Sequence, residues 1–407
     1  MLEALDALMT ERRIDAVLVY GSSTFGNPEL CYVVGANLAR GGIYVKQRMK
    51  DPVLIVSNID SGEASKGLVK DVRTYSEYGY ERLVARYGRN KAGSLLFDRI
   101  LKKHRTKGRI GLYGRNDAND VLELSKRLRR LGYTIVGEPH PSVLEAAMET
   151  KTLLETDKIG NVGKKTERVV KKIIEFLKNC EIEGEYLTHE AKKVTVGIVK
   201  VLTRRYLAEE NLVAPEDVII AVGPKSADPH YPGVDSDLVM IDQPIVFDIF
   251  PEEIGGYCFD MTRTFVFGKA SERIRKMYEA VREAQQITFD LIEEGRRAET
   301  LMNTVCDHFA GNGFKTIRDL VRGVKEAEKV GFVHSLGHGV GLTIGERPYL
   351  SLNSDDVLKS GNVFTVEPGL YDPEFGGVRI EDVVALTESG VTNLTSYEKT
   401  LDAEMLK

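Results

Sequence analysis

The stretch PIVFDIFPEEIGGYCFDMTRTFVFG (244–268) decides the fold. Two apolar runs, IVFDIF and YCFDMTRTFVF, flank a turn that carries Pro251 and the Gly255-Gly256 pair, the grammar of a β-hairpin. In an antiparallel pair the indices of opposed residues have a constant sum, so a turn centred near Ile254 sets Asp248 across from Asp260. The arithmetic repeats in NVFTVEPGLYDPEFGGVRIEDVVALTESG (362–390), where a turn centred on Glu374 sets Glu367 across from Glu381. Directly opposed side chains have Cβ atoms about 4.5–5.5 Å apart, and like charges there are destabilising. Burial among apolar strand neighbours makes the repulsion worse. Such pairs persist if they share protons at raised pKa values or if cations neutralise them. Two matching pairs in matching halves favour cations.

Each hairpin ends a segment in which helices come before strands. Residues 149–407 therefore read as one pseudo-symmetric α+β domain, with helices outside and curved antiparallel strands inside. The helix that opens it near Leu153 has an apolar face of Val162, Val169, Val170, Ile173, Ile174 and Leu177. In front of it, DAVLVY (15–20), GGIYVK (41–46), PVLIVS (52–57) and YTIVGE (133–138) are β-branched runs, and DANDVLELSKRLRRL (117–131) has helical periodicity. Residues 1–148 thus read as an α/β domain with a mostly buried sheet, and Pro139 and Pro141 punctuate the join.

Length and composition agree with two domains. The 407 residues are 42% hydrophobic and 29% charged, enough apolar material for real cores and too much for a disordered chain. Lys and Arg number 56 against 61 Asp and Glu, and a net charge of −5 argues against nucleic acid as the main partner. No apolar run reaches the roughly 18 residues of a membrane span. The start, MLEALDALMTERRIDAVLVY, reads as an amphipathic helix entering a strand and not as a signal peptide. The four cysteines form no CxxC, so they read as reduced thiols of a cytoplasmic protein.

The segment FVHSLGHGVGLTIGERPYL (332–350) adds His334 and His338. Gly337, Gly339 and Gly341 argue for an extended or looped backbone there, which assigns one imidazole as a ligand and the other as an active-site partner. Four carboxylates and one imidazole are unlike a structural zinc site, which favours Cys and His. They suit a pair of divalent ions such as Mn²⁺, Co²⁺, Fe²⁺ or Zn²⁺.

In their order, GYCFDMTRT (256–264), HSLGHGVGL (334–342), TVEPGLY (365–371) and GGVRIEDVV (376–384) resemble the pita-bread metallopeptidases. These comprise the Xaa-Pro aminopeptidases, the prolidases and the creatinase-like proteins, with methionine aminopeptidase as a shorter relative. The resemblance covers residues from about 150 to 390; the α/β domain in front, and the linker METKTLLETDKI (148–159), are similar to the Xaa-Pro and creatinase branch. The resemblance implies that Asp248, Asp260, His338, Glu367 and Glu381 hold two divalent ions, manganese first among the candidates. It implies catalytic roles for Glu367, for His230 in VGPKSADPHYPG (222–233) and for His334, which would hydrogen-bond the tetrahedral intermediate. It gives Tyr257, Thr262 and Arg379 the support of ligands or substrate, and it implies a homodimer acting on a peptide or small-molecule substrate.

Two departures stand out. The spacing from Asp248 to Asp260 is one residue longer than the commonest form, and where the family reads HExP this chain reads Gly345-Glu346-Arg347-Pro348. The second departure removes a histidine from the catalytic side. The expected function is hydrolysis of an N-terminal Xaa-Pro bond by an Xaa-Pro aminopeptidase or prolidase. A non-peptidase hydrolase or lyase on the same fold is the alternative, and a catalytically weak binding module ranks last because no ligand is eroded. His104, His140, His189 and His308 match nothing and receive no role.

Overall fold

Along the strand Ile245–Ile249 all five residues are buried. One face, with Ile245, Phe247 and Ile249, lies in the apolar core beside Met261 and Phe265 of the following strand. The alternate face carries Asp248, Thr262 and Thr264, while the buried Arg263 stands opposite Phe247 on the first face.

The computed structural model describes residues 2–406. The chain divides into two compact units, with the division between Met148 and Glu149. The first holds a mixed six-stranded sheet of β1 (Ala16–Gly21), β2 (Gly42–Gln47), β3 (Val53–Val56), β4 (Asp71–Thr74), β5 (Arg109–Tyr113) and β6 (Thr134–Val136), in the order β4-β3-β2-β1-β5-β6. Its central strands are almost wholly buried, as their β-branched runs lead one to expect. Among its helices are α1 (Tyr80–Tyr87), α2 (Arg89–Lys103) and α3 (Ala118–Arg130). Asp117 caps α3 by accepting from the amides of Asn119 and Asp120.

The second unit repeats its grammar. Helices α4 (Leu153–Lys178) and α5 (Val196–Glu209) precede a three-stranded sheet of β7 (Ile219–Val222), β8 (Ile245–Ile249) and β9 (Met261–Phe265). Helices α6 (Glu272–Leu291) and α7 (Ala298–Gly311) precede β10 (Gly337–Val340), β11 (Ile344–Leu350), β12 (Val363–Val366), β13 (Gly369–Asp372), β14 (Gly376–Arg379), β15 (Asp382–Thr387) and β16 (Gly390–Asn393). Five of these form a sheet in the order β11-β10-β12-β15-β16, and β13 pairs with β14. Thr152 and Glu155 start α4 with a reciprocal capping box, and the predicted apolar face of α4 is buried along its length.

Helix α4 approaches the first hairpin so closely that only glycine fits at the contact. A Cβ at Gly163 would stand 2.5 Å from the ring of Phe259, the residue before Asp260, whereas at Gly160 it would meet only Leu394 at 3.9 Å. The two glycines, one turn apart, therefore respond oppositely to alanine. Gly160→Ala is expected to stabilise by about 0.5–1 kcal/mol through helix propensity. Gly163→Ala is expected to destabilise by about 1–3 kcal/mol through overpacking. Chemical denaturation of the two variants checks the difference in sign.

Candidate metal centre

The register of the first hairpin differs from the expected one by two residues. Asp248 pairs with Thr262, and Asp260 lies just before β9. The reversal is centred on Gly255, whose φ of +65° places it in the left-handed region, and the bridge between Glu252 and Cys258 continues the same register. Because strand side chains alternate with period two, a shift of two returns both acids to one face. They are diagonal neighbours and not directly opposed. The second hairpin keeps the expected register. Val366 pairs with Asp382 in one ladder and Gly369 with Arg379 in the next, so Glu367 and Glu381 face one another in the gap between them.

His338 arrives on an extended strand, as its glycines imply. A Cβ at Gly337 would stand 2.0 Å from the carbonyl of Thr365, and one at Gly339 would stand 2.2 Å from that of Arg347. Between these contacts the imidazole is left partly open, with 19% of its side chain exposed. The two halves join where the Glu381 amide donates to the Thr262 carbonyl at 3.1 Å.

Asp260, His338 and Glu381 offer ligand atoms that all lie within 4.8 Å of one another. His338 Nε2 is 3.7 Å from Asp260 Oδ2 and 3.6 Å from Glu367 Oε1. These distances are long for hydrogen bonds and suit atoms that share an ion with bond lengths of about 2.0–2.2 Å. Oδ1 of Asp248 and Oδ1 of Asp260 are both buried without a hydrogen-bond partner. Unpaired carboxylate oxygens at a cluster of acids are what a cation would satisfy, and the donor set fits divalent ions.

The electrostatics of the metal-free protein agree. Burial first, then the charges of Glu381, Asp248 and Glu367, push Asp260 well above the carboxylate range. Burial likewise raises Glu367 to about 7, against the opposing pull of Arg379, and raises Glu381 to about 8 with help from Glu367 and Asp248.

A buried network directs the groups behind these acids. Arg379 donates to Asp248 Oδ2 at 2.5 Å, to Thr262 Oγ1 at 3.2 Å and to the Tyr371 hydroxyl at 2.8 Å. Thr262 in turn donates to Glu381 Oε2 at 2.7 Å, and Thr365 Oγ1 lies 3.4 Å from Glu367 Oε1. Tyr371 and Thr365 escaped the reading of the sequence, although both lie within the TVEPGLY run. Tyr371 acts through partners on the neighbouring strand, which a linear motif does not display.

His334 has a different state from the one expected. Its Nδ1 is 2.7 Å from the carbonyl of Ser335, which can only accept, so Nδ1 carries the proton. Nε2, at 2.9 Å, then accepts from the Tyr371 hydroxyl. Burial and the Arg379 charge lower its pKa to about 3, so the ring is neutral. In this arrangement His334 has no N–H to give an oxyanion, and the donor role expected of it is revised to one of acceptor for Tyr371. His230 sits on an exposed loop near enough to influence His334 electrostatically. Tyr257 turns instead towards α4, donating to Glu155 Oε1 at 2.9 Å beneath the Lys158 ammonium.

At the position of the absent histidine, Gly345 has φ +81° and a Cβ there would meet nothing within 4 Å. Its carbonyl accepts from the Tyr349 hydroxyl. The next residue, Glu346, forms a buried ion pair with Lys151 at 2.7 Å, and the two side chains are 8% and 3% exposed. The other oxygen of Glu346 accepts from the Thr343 amide at 3.0 Å, which closes the turn between β10 and β11.

The sequence pattern of metallopeptidase family M24 matches residues 157–388. An Xaa-Pro dipeptidase of Pyrococcus furiosus is 35% identical over 298 residues, 70% of this chain and 78% of that one. A solved prolidase from Pyrococcus furiosus superposes with a TM-score of 0.70 at 26% identity, over 97% of this chain and 100% of that one. An Xaa-Pro dipeptidase from Bacillus anthracis, at 22% identity, shares the fold over 98% of both chains with a TM-score of 0.77. The α+β architecture and the carboxylate–imidazole cluster are those of a pita-bread metallopeptidase. The chain belongs to family M24.

Raised carboxylate pKa values give the metal-free protein a pH dependence of defined sign. Glu367 and Glu381 titrate near 7 and near 8 when folded, against about 4.3 when exposed. Below the lower value both states hold the protons and the two groups leave stability unchanged. As pH rises the unfolded chain loses its protons first, so folded stability falls until the folded values are passed. Bound cations keep the carboxylates ionised and remove this loss. The difference in Tm between metal-loaded and metal-stripped protein should therefore widen from about pH 5 to about pH 8. A difference in calorimetry that stays constant over that interval would contradict the raised values.

Proposed function

We propose that this M24 peptidase hydrolyses the bond between an N-terminal residue and proline, in Xaa-Pro dipeptides or longer peptides. The observation that carries the reading is the cluster of Asp260, His338 and Glu381 beside Glu367 and Asp248, with unpaired buried oxygens on both aspartates. The similarity to an Xaa-Pro dipeptidase over most of both chains supports the substrate class. We take the five side chains as the ligands of two divalent ions, manganese first, in a cytoplasmic homodimer. Among the described residues no helix is long and apolar enough to cross a membrane.

A pair of divalent ions, which Asp248, Asp260, His338, Glu367 and Glu381 would hold, would supply hydroxide near neutral pH and polarise the scissile carbonyl. Glu367, whose Oε1 lies 3.6 Å from His338 Nε2, takes the proton of the attacking water and returns it to the departing proline nitrogen. His230 offers the N–H that the developing oxyanion needs, since that of His334 is committed to Ser335. Arg379 fixes Asp248 and Tyr371, and Tyr371 fixes the ring of His334. The acidic wall accepts the free amino group of the substrate, which selects chain ends.

Release of amino acid from Xaa-Pro dipeptides and longer Xaa-Pro peptides tests the reading. Metal-stripped protein is compared with and without Mn²⁺, with Xaa-Ala peptides as the control. Cleavage that requires metal and proline is the expected result. Glu367→Gln should lower kcat by about 10²–10⁴-fold, and Asp260→Asn should lose both metal and turnover. A protein that binds two ions per chain and cleaves none of these peptides would move the assignment to a non-peptide substrate, the reading that the glycine at position 345 favours.

A further inference from the structure

Far along the chain from the acidic cluster, the first unit contains a cavity of about 700 Å³ between the junction of α1 and α2 and the end of α3. That volume lies within the ordinary range of small-molecule sites. Arg89, Lys91, Arg127 and Arg130 line it, and no carboxylate does so among the described residues. The chain is acidic overall, at −5, and most of its other basic clusters are interleaved with acids. Here Arg127 is held by Ser94 Oγ at 3.0 Å, with Glu123 at 3.8 Å, whereas Arg89, Lys91 and Arg130 have no ion-pair partner among the described residues.

Two of these cations, Arg89 and Lys91, are adversely placed, whereas Arg127 and Arg130 lie in the last turn of α3, where a cation is favoured. The first turn of α2 contains Arg89 and Lys91 and no acid, and its N-cap, Gly88, makes no side-chain capping bond. Cations at the positive end of a helix dipole repel it, the reverse of the usual placement. Arg130 adds a third charge from a different helix. Three cations without a carboxylate partner line one cavity from two helices, Lys91 resting over the Tyr87 ring at 5.3 Å, and one multiply charged anion would stabilise them together. Besides Gly88 and Ser94 the remaining wall is apolar: Leu95 packs on the core of the unit, Leu131 is 46% exposed, and Tyr87 is 39% exposed with the Arg86 and Lys91 cations over its ring.

We propose that this cavity is a binding site for a small organic phosphate, a phosphate monoester on a flat apolar body. The phosphate takes the ends of Arg89, Lys91 and Arg130, and the apolar body lies against Leu95, Leu131 and Tyr87. Arg127, already fixed by Ser94, forms the rigid part of the floor. The proposal does not rest on the peptidase reading and stands or falls separately from it.

Isothermal titration of the whole protein with 4-methylumbelliferyl phosphate at low salt tests the site, with 4-methylumbelliferone and inorganic phosphate as separate comparators. Saturable one-to-one binding of the ester is expected, at least about tenfold tighter than either comparator. Lys91→Glu and Arg130→Glu, both at exposed side chains, should each weaken it by about tenfold or more, and added salt should weaken it further. Circular dichroism verifies that both variants are folded. Absence of saturation, equal binding of the uncharged alcohol or of inorganic phosphate, or unchanged affinity in both folded variants overturns the proposal.

Discussion

Four carboxylates, two from each half of the second unit, are brought into one buried cluster, and the fold holds them there with two buried arginines. Arg379 spans Asp248, Thr262 and Tyr371. Arg263, 2% exposed, donates to the carbonyls of Thr262, Glu381, Tyr397 and Glu398 and to Asp382 Oδ1. One guanidinium neutralises charge within the cluster, while the other ties the backbone of the first hairpin to that of the second. An arginine can do this because its planar fork presents five donors and stays charged when buried. Removing either would leave a buried acid or several buried carbonyls without partners, which is costly in a low-dielectric interior.

Around this frame the hydrogen bonds have a direction. Arg379 donates to Tyr371, Tyr371 to His334, and His334 to the carbonyl of Ser335. Arg379 can only donate and the Ser335 carbonyl can only accept, so the order cannot be reversed without leaving a donor facing a donor at one end and an acceptor facing an acceptor at the other. A neutral imidazole with a defined tautomer follows from the carbonyl at one end and the guanidinium at the other. The residues that hold His334 are therefore as much part of its chemistry as the ring itself.

Much of this was legible in the sequence, and the unread parts share a cause. Acids in apolar strands, turns rich in glycine and an extended histidine segment are local signals, and they gave the hairpins and the cluster. The two-residue register error in the first hairpin came from placing the reversal at Ile254 and not at the left-handed Gly255. It did no harm to the site because side-chain alternation is blind to shifts of two. Strands β4 and β5 went unread: DVRT is a half-exposed edge strand without apolar alternation, and RIGLY is interrupted by a glycine and begins with an exposed arginine. The pairing of Lys151 with Glu346 spans 195 positions of sequence. The lone pair of His334 Nε2 is occupied by a tyrosine brought in from the hairpin of β13 and β14. Contacts of that kind are written in the fold and not in any short motif.

The two hairpins resemble one another in grammar but do not provide matching halves of the cluster. In one the acids are offset along the strands, a relation that separates side chains by about 7–8 Å. In the other they face one another across a break in the ladder. Internal duplication in appearance thus ends in a lopsided chamber, one wall staggered and one wall square. Two ions of a single element placed inside would experience different surroundings from the outset, without any change in the identity of the side chains.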